Sequence, residues 1–439
     1  MKSVYDVAII GGGPAGSTAA TFLARKKYKV VVLEKEKFPR FHIGESLLPY
    51  SMGAFERLGV REKLDARFIP KYGAEISTTC GTNVSKFFFK DAFQMRHPQA
   101  YQVTRSEFDE LLLDNSSENG AEVRQETSVE SLEFGPEQVG ITVKSGGQTE
   151  RIAARYVLDC SGRSAVIGNY FKLRKTYANL KKFSVFAHYE NVARDEGKRG
   201  TFIRIITGRD GWFWMIPLTP TKMSIGIVMD LTTFKAMKKS PEAALEDSLR
   251  EQPMIWNRMA DASRVTEVYS VSDYSYRNSS LFGDRWLLAG DAAGFIDPVF
   301  STGVFLAIRS GEAAADTLDT ALKTPEKRLS VFKSYERNVN HVMNLYLRFV
   351  SSWYKPKFTE VITHPVSRLQ LVEVVNSVLA GNLASVNFSI WWRMQLFYLV
   401  TFLQRYIPLC PRVSLDPKDC DPAAHVASKE VEQEPASAI

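Results

Sequence analysis

The segment at residues 4–36 constrains the fold more than any other part of the chain. It reads VYDVAIIGGGPAGSTAATFLARKKYKVVVLEKE, in which an apolar strand pattern runs into a glycine-rich turn, a helix of small residues and a second strand pattern. In such a unit Gly11 permits the tight turn, Gly13 lets the backbone approach a pyrophosphate, and Gly16 lets the helix pack on the strand. The sequence therefore predicts an α/β protein with a Rossmann-like dinucleotide-binding domain.

The residues beside this turn complete the predicted dinucleotide site. Pro14 and Ala15 open the helix, whose first N–H groups face the phosphates. Glu34 ends the second strand, where a carboxylate binds a ribose hydroxyl, and Lys35 follows it. We therefore predict that all four residues belong to the cofactor site.

A second glycine-rich stretch indicates which dinucleotide binds. The segment DRWLLAGDAAGFIDPVFSTG, at 284–303, ends a strand at Gly290-Asp291, where a second carboxylate could hold hydroxyls of a long cofactor. It resembles the second FAD contact of the para-hydroxybenzoate-hydroxylase-like flavoproteins. Asp159, in VLDCSGRSAVIG, resembles part of their middle motif, and Arg105, in VTRSEFDELLL, matches the arginine that begins a helix near the flavin. The chain shows no second GxGxxG for a nicotinamide nucleotide.

Two further motifs resemble those of one branch, the flavin-dependent halogenases. The first is W-x-W-x-I-P within GWFWMIPL, and the second is F-x-x-P-x-x-S-x-G within the 295–303 run. FHIGESLLP, at 41–49, resembles the loop that crosses the flavin in this branch. The resemblance spans residues 1–330, and it adds these residues to the expected site: Trp212, Trp214, Ile216, Pro217, Phe295, Pro298, Ser301, Gly303, Ile43, Gly44, Glu45 and Ser46.

The resemblance implies a halogenase mechanism and a role for each of these residues. Reduced FAD (FADH2) and O2 give a flavin C4a-hydroperoxide, which a halide attacks to give hypohalous acid. The backbone amides at Ser301, Thr302 and Gly303 are expected to hold the halide. Lys71, in RFIPKYGAEI, is expected to relay the hypohalous acid to an electron-rich aromatic ring. The expected flavin-tunnel wall, which excludes the organic substrate, consists of Trp212, Trp214, Ile216, Pro217 and Phe300.

The residue immediately before the Ser301-Thr302-Gly303 run narrows the substrate class. Tryptophan-type halogenases carry a glutamate where this chain has Phe300, and DPVFSTGV resembles the phenol- and pyrrole-halogenating subgroup. The substrate is then a free aromatic molecule or an acyl group on a carrier protein, which is usually acidic. Basic residues at 172–182 and at Lys235, Lys238 and Lys239 are candidate contacts for such a carrier, although solvated surface is the more common role of a charge run.

Other activities fit the same flavoprotein frame. A prenyl-lipid reductase of the geranylgeranyl-reductase type shares the GDAAG and GES-like features and needs no halide. An aromatic hydroxylase would oxidise NAD(P)H without a partner, whereas a two-component halogenase needs a separate NAD(P)H-dependent flavin reductase. A non-catalytic flavoprotein is the third alternative. The resemblance favours the halogenase, which implies chlorination or bromination in secondary metabolite biosynthesis.

Composition excludes few classes of protein. The net charge of +7 suits an acidic partner without requiring one, and no basic-aromatic pattern typical of nucleic-acid binding occurs. Four scattered cysteines and six histidines show no metal-ligand spacing, so no metal and no disulfide framework are expected. With no signal pattern at the N-terminus, the interpretation is a cytoplasmic protein. The segment at 391–409 carries two arginines and two glutamines, so we expect an amphipathic helix rather than a transmembrane one.

The pattern of elements predicts two lobes built from alternating stretches of the chain. A discontinuous FAD-binding domain is predicted at 1–70, 100–175 and 270–325. A substrate lobe with an antiparallel sheet is predicted at 71–99 and 176–269, because KFSVFAHYE and MSIGIVMD alternate. Residues 326–412 are predicted to form a C-terminal helical lid, and 413–439 a disordered tail.

Overall fold

The fold is taken from a computed structural model, which describes residues 4–81, 83–93, 95–364, 368–382 and 388–420. The strands are β1 (Tyr5–Ile10), β2 (Val30–Leu33), β3 (Ile69–Lys71), β4 (Gly73–Thr78), β5 (Val84–Phe88), β6 (Ala100–Gln102), β7 (Glu122–Arg124), β8 (Thr127–Phe134), β9 (Val139–Ser145), β10 (Gln148–Asp159), β11 (Arg174–Thr176), β12 (Lys182–Glu190), β13 (Ile203–Thr207), β14 (Gly211–Pro217), β15 (Lys222–Asp230), β16 (Ser263–Arg264), β17 (Tyr269–Ser272), β18 (Tyr276–Asn278), β19 (Trp286–Leu288) and β20 (Gly294–Phe295). The α-helices are α1 (Pro14–Arg25), α2 (Met52–Leu58), α3 (Arg61–Arg67), α4 (Arg105–Glu118), α5 (Val166–Tyr170), α6 (Leu231–Met237), α7 (Pro241–Arg250), α8 (Pro253–Trp256), α9 (Thr302–Lys323), α10 (Arg328–Trp353), α11 (Pro356–Ile362), α12 (Leu371–Leu379) and α13 (Phe388–Leu403).

Two compact units share these elements. The first comprises Met1–Pro70, Ala100–Leu180 and Tyr274–Val350, and the second comprises Lys71–Gln99, Lys181–Asp273 and Ser351–Ile439. Helix α10 lies mostly in the first unit and the helices after it belong to the second, so residues 326–412 are distributed over both units.

The first unit is built on a sheet in the order β7-β2-β1-β10-β9-β8, with β19 also paired to β10. The pairs β7–β2, β2–β1, β1–β10 and β10–β19 are parallel, whereas β10–β9 and β9–β8 are antiparallel. Strand β1 reads YDVAII and β2 reads VVVL, and nearly every residue of both is buried. Such continuous apolar runs are typical of parallel strands covered on both faces. The predicted α/β fold with a Rossmann-like domain is confirmed.

The second unit is built on a mainly antiparallel sheet in the order β16-β12-β15-β14-β13-β4-β5, with β17 also paired to β12. One face carries Phe183, Phe213 and Ile225, which form an apolar cluster with Leu245 and Leu249 of α7. Because side chains alternate along a strand, Trp212 and Trp214 of β14 lie on the opposite face. The sheet therefore separates a packed apolar core from the face that carries the tryptophan motif.

The structure corrects two expectations about the cysteines and the C-terminus. No disulfide framework was expected from the sequence, yet Cys80 and Cys420 form a disulfide, with their Cα atoms 4.8 Å apart. The two are 340 residues apart, and proximity at that separation has no signature in the sequence. Residues 413–420 were expected to be disordered, yet a 3-10 turn at Pro417–Asp419 precedes Cys420. The rest of the predicted tail, 421–439, lies outside the described residues.

None of the helices in the described part of the chain combines the length and the hydropathy that are needed to cross a bilayer.

Candidate active site

The glycine-rich turn between β1 and α1 leaves no room for a side chain at Gly11, and the first turn of α1 leaves none at Gly16. Gly11 has a φ of +99°, and a Cβ placed on it would lie 2.4 Å from the carbonyl oxygen of Cys160. A Cβ on Gly16 would lie 2.0 Å from the carbonyl oxygen of Gly11. The turn therefore sits tightly against β10 and α1. It directs the N-terminus of α1, which no side chain caps, toward the space beyond the sheet.

Glu34 is tied to this turn rather than projecting freely from the end of β2. Its Oε2 accepts a 2.7 Å hydrogen bond from the Gly12 N–H, and its Oε1 accepts a 2.9 Å bond from the Glu36 N–H. Each carboxylate oxygen can accept a further hydrogen bond. Glu34 can therefore hold the turn and still accept a ligand hydroxyl, whereas the neighbouring Lys35 is exposed.

Arg105 anchors the loop that contains Ile43, Gly44, Glu45 and Ser46. Its Nη1 donates to the carbonyl oxygen of Ile43 at 2.5 Å, while Nε and Nη2 each donate to Asp109 at 2.8 Å. Gly44 has a φ of +109°, and a Cβ there would lie 2.7 Å from Nη1. Burial by itself would raise the pKa of Asp109, but the Arg105 charge and hydrogen bonds hold that pKa below its usual value. The loop is thus fixed by a buried ion pair.

The structure separates the roles of the two predicted aspartates. Asp159 is buried, and its carboxylate accepts hydrogen bonds from the N–H groups of Ser161 (2.9 Å) and Ile167 (2.7 Å). Burial raises its pKa. These bonds show that Asp159 shapes the turn after β10. Ligand contact by this residue stays a prediction.

Asp291 has a different environment. Burial raises the pKa of Asp291 to about 6, although the positive charges of Arg105 and Arg163 act to lower that pKa. The preceding residue, Gly290, has a φ of +60°, and a Cβ there would lie 2.9 Å from the Cβ of Ala15. The GD motif and the glycine-rich turn, although about 275 positions apart in sequence, therefore meet in this unit.

The predicted halide-binding residues lie at the start of a long helix. Asp297 accepts a 3.0 Å hydrogen bond from the Val299 N–H and holds the preceding turn. Ser301 has a φ of +56°, and α9 begins at Thr302 without a side-chain cap. The first N–H groups of a 22-residue helix thus have no intrahelical partners and carry the positive end of its dipole. This geometry suits an anion.

Aromatic rings pack around this helix start. The Phe300 ring is buried with its centroid 4.5 Å from that of Phe349. Gly303 lies so close to Phe295 that an added Cβ would be 3.3 Å from its ring. Aromatic rings therefore border the backbone amides at this helix start, and an apolar surrounding strengthens an anion–amide interaction.

Lys71 is a buried lysine of the second unit. Its large side chain is only 1% exposed. Its Nζ lies 5.1 Å from the centre of the Phe89 ring. Burial lowers its pKa to about 7. A lysine with this pKa is partly a neutral amine, and therefore a nucleophile, at physiological pH.

The two tryptophans of the W-x-W-x-I-P motif are packed and hydrogen-bonded. Trp212 Nε1 donates to Tyr354 Oη at 3.0 Å, and Trp214 Nε1 donates to Ser224 Oγ at 3.1 Å. Their ring centroids are 5.9 Å apart. A Cβ on Gly226 would lie 2.5 Å from Trp214, so the glycine makes room for the indole. Ile216 and Pro217 are also buried.

Sequence reasoning missed Asp109, Phe89 and Tyr354. Asp109 had a readable signal, because it follows Arg105 by four residues on one helix and such pairs face each other. Phe89 and Tyr354 had none, since each meets its partner only through tertiary packing.

The features of the first unit fit FAD. The turn would be filled by any Cβ at Gly11 or Gly16, and Glu34 and Asp291 supply carboxylates near it for sugar or ribityl hydroxyls. The pattern of the FAD binding domain family matches residues 4–349. The class of protein is thus an FAD-dependent flavoprotein.

Comparison with characterised proteins shows to which group of FAD-dependent flavoproteins the chain belongs. The chain is 30% identical over 397 residues to the 1H-pyrrole-2-carbonyl-[peptidyl-carrier protein] chlorinase of Pseudomonas fluorescens, covering 84% of this chain and 88% of that protein. It is 34% identical over 336 residues to the corresponding brominase of Pseudoalteromonas luteoviolacea, covering 73% and 80%. The crystal structure of CmlS, a flavin-dependent halogenase, superposes with a TM-score of 0.77 at 30% identity, covering 91% and 70%. This chain belongs to the flavin-dependent halogenases, and it is an enzyme that uses FAD, halide and O2.

Proposed function

We propose that this halogenase acts on an electron-rich ring, a pyrrole or phenol, that is presented as an acyl group on a carrier protein, and that Lys71 delivers the halogen. The observation that carries the role of Lys71 is the burial of its amine, whose pKa is about 7. Keeping a lysine amine from water costs desolvation free energy in the charged form. Its position is therefore best explained by chemistry.

The first unit is proposed to hold the cofactor and the halide. Gly11, Gly13, Gly16 and Glu34 would bind the adenosine half of FAD, and the loop fixed by Arg105 would lie against the flavin. Reduced FAD, when bound, supplies with O2 the oxidising equivalent that converts halide into hypohalous acid. The unpaired N–H groups at the start of α9, at Thr302 and Gly303, would hold and desolvate the halide.

Lys71 is proposed to act in one of two ways on hypohalous acid. The neutral amine can displace hydroxide, so that R–NH2 and HOX give R–NHX and water, and the haloamine then transfers X⁺ to the ring carbon while the ring loses its proton. Alternatively, the ammonium form donates a hydrogen bond to the oxygen of HOX and polarises the O–X bond. Since the pKa is about 7, both forms are populated at neutral pH.

Trp212 and Trp214 are proposed to keep the organic substrate from the flavin. Both indoles are buried, and the N–H group of each donates a hydrogen bond, so the two rings are held in fixed positions. A substrate excluded by this wall could react only with a small, mobile oxidant. That consequence separates halogenation from direct hydroxylation.

The tethered substrate is supported by the two relatives named for pyrrole-2-carbonyl-carrier substrates. A carrier domain, usually acidic, would need a basic face. Lys235 and Lys238 are exposed at the end of α6, and Lys239 pairs with Asp247. Within 172–182, Lys182 is unsuitable, because it is buried beside Asp230. We also propose a separate NAD(P)H flavin reductase and a cytoplasmic location.

The test supplies the enzyme with FAD, a generic flavin reductase, NADH, O2 and bromide, together with pyrrole-2-carbonyl loaded on a carrier protein. Mass spectrometry follows bromine on the carrier, with free pyrrole-2-carboxylate and a simple phenol as parallel substrates. Bromination of the carrier-bound ring that is lost in Lys71→Ala, with FAD binding intact, is expected. Efficient bromination of only the free phenol would contradict tethering, and activity retained in Lys71→Ala would contradict the relay.

A further inference from the structure

A small sheet of the first unit holds two positive charges directly opposite each other. The sheet consists of β11, β18 and β20. Lys175 of β11 is paired with Arg277 of β18, so both side chains extend from the same face, and both are exposed. Within the part of the chain that the structure describes, neither side chain forms an ion pair. Like charges in this arrangement are unfavourable for a sheet, and a partner of opposite charge would remove that penalty.

The chain around this pair adds positive charge and no negative charge. The sequence holds no aspartate and no glutamate at 161–189, and none at 274–283. Lys172, in the turn before β11, is exposed as well. These three side chains, Lys172, Lys175 and Arg277, are called the basic sheet surface below. Such a surface attracts an acidic partner and raises the rate at which the two meet.

The basic residues near α6 form a weaker candidate for the same partner. Lys235 and Lys238 are exposed, but Lys239 pairs with Asp247. The stretch at 230–251 contains five acidic and four basic residues. Acidic side chains within that stretch would repel an acidic partner, whereas the basic sheet surface has none along its own strands.

Exposed aromatic rings directly precede the basic sheet surface in the chain. Tyr170 and Phe171 come immediately before Lys172, both are exposed, and their ring centroids are 4.7 Å apart. Interfaces between proteins combine aromatic side chains and arginine with a polar rim. A small free anion would need only the charges. The combination therefore favours an acidic protein as the partner.

A second copy of this chain fits the surface poorly. A two-fold dimer brings the same patch of both subunits together. The basic sheet surface of one copy would then face the basic sheet surface of the other, and like charges across an interface are unfavourable. The partner must therefore carry the opposite charge.

The small sheet also contacts the motifs of the candidate active site in this unit. Tyr276 of β18 pairs with Phe295 of β20, which begins the 295–303 run. The Tyr276 hydroxyl donates a 2.6 Å hydrogen bond to the carbonyl oxygen of Asp291. A protein bound to the exposed face would therefore lie on the same small sheet that leads into the expected halide site.

We infer that the basic sheet surface docks the acidic carrier domain that presents the substrate. Lys175 and Arg277 meet carboxylates of the carrier, and Tyr170 and Phe171 contact its apolar side chains. This inference rests on the proposed function, because it requires a ring that is bound to a carrier.

Steady-state bromination tests the inference with the full chain, FAD, a flavin reductase, bromide and an acidic carrier domain loaded with pyrrole-2-carbonyl. Lys175→Glu should raise the KM for the loaded carrier by about tenfold or more, because it removes attraction between the two proteins. The kcat and the dissociation constant of FAD should be unchanged. The KM of the wild type should rise with ionic strength, and that of the variant should rise less steeply.

The same substitution should leave the fold at least as stable as the wild type. A carboxylate at position 175 would face Arg277, and opposite charges across a strand pair are favourable. Arg277→Glu creates the reverse pair and should have the same two effects. A higher KM together with an unchanged or higher melting temperature separates lost docking from damage to the fold.

Lys144→Glu is the matched control, because Lys144 is an exposed strand residue of the same unit and the change in net charge is identical. It should leave the KM unchanged, and Lys235→Glu should do the same for the α6 region. An unchanged KM in both Lys175→Glu and Arg277→Glu would overturn the inference alone. So would an increase in KM for Lys144→Glu or Lys235→Glu as large as that for Lys175→Glu. A wild type that brominates free rings but not the loaded carrier would contradict the proposed function and the inference together.

The chain's own C-terminal sequence is the competing acidic occupant. It carries Glu430, Glu432 and Glu434. Replacing all three with glutamine should leave the KM for the loaded carrier unchanged. A lower KM in this triple variant would assign the basic sheet surface to the C-terminal sequence and would overturn the inference.

Discussion

The Nζ atom of Lys71 lies 5.1 Å from the centre of the Phe89 ring, and both residues are fully buried. The two surroundings of this amine act in opposite directions. Burial favours the neutral form and lowers the pKa to about 7, whereas the face of an aromatic ring favours the charged form. The balance keeps both protonation states accessible near neutral pH.

Phe89→Leu should lower the pKa of Lys71 further, because it removes the ring that stabilises the ammonium. A cation–π contact of about 1 kcal/mol corresponds to a shift of roughly 0.7 pKa units. If the neutral amine is the reactive form, the wild-type rate should rise with pH through about 7, and that rise should move to lower pH in the variant. Single-turnover halogenation between pH 5.5 and 9 measures this. If the halogenation rate of the variant is instead lower by the same factor at every pH, the substitution has disturbed packing and not the pKa of Lys71.

Lys71→Met should stabilise the fold at neutral pH while abolishing halogenation. Between about pH 7 and 10.5 the unfolded lysine is protonated and the folded one is not, so the free energy of unfolding rises with pH across that window. At pH 7 the free energy of unfolding of the wild type is therefore about 3–5 kcal/mol lower than that of a protein with an apolar side chain at this position. Urea unfolding of both proteins at pH 7 and pH 9.5 measures the difference, which should shrink at the higher pH. A destabilised Lys71→Met protein at pH 7 would argue against a buried amine.

Asp109→Asn should loosen the loop at 43–46 and weaken FAD binding. The substitution leaves Arg105 buried without its counter-charge, a change that costs about 3–5 kcal/mol in comparable sites. The fluorescence of bound flavin should report an affinity at least about tenfold lower, with a lower melting temperature. Glu107→Gln, also in the first turn of α4, is the control and should leave both values unchanged.

Trp214→Ala should allow products that the wild type does not form. Removing the indole leaves a cavity beside Gly226 and Ser224 and costs about 3–5 kcal/mol of stability. If the tryptophans exclude the organic substrate, the enlarged space should permit hydroxylated product, which mass spectrometry distinguishes from halogenated product. Phe213→Ala removes a ring of similar burial from the other face of β14 and serves as control. If neither variant forms hydroxylated product, Trp214 does not have the proposed role of excluding the organic substrate from the flavin.

Thiol titration should find two reactive groups in the denatured, unreduced chain. Cys80 and Cys420 are joined, whereas Cys160 and Cys410 are free and buried. Reduction should raise the count to four, and peptide mapping without reductant should recover the Cys80–Cys420 pair. Four thiols before reduction in protein purified without reductant would mean that this pair stays reduced in solution.

The local motifs were accessible from the sequence because their residues are neighbours in the chain. The GxGxxG turn, Glu34 at the end of β2 and the uncapped start of α9 each depend on strand, turn and helix geometry within a few residues. The two alternating strands that predicted an antiparallel sheet became β12 and β15, which pair directly. The W-x-W spacing alone placed both indoles on one face of β14.

Only the tertiary structure decided which distant groups meet and what their surroundings do to them. Lys71 is one of many lysines in the sequence, and burial beside Phe89 alone gives it a lowered pKa. Asp159 and Asp291 look equivalent in their motifs, yet backbone amides occupy the first. The Cys80–Cys420 pair spans most of the chain. Local sequence specifies backbone conformation through short-range sterics and hydrogen bonds, whereas desolvation depends on every group that packs around an atom, and that is settled only when the whole chain has folded.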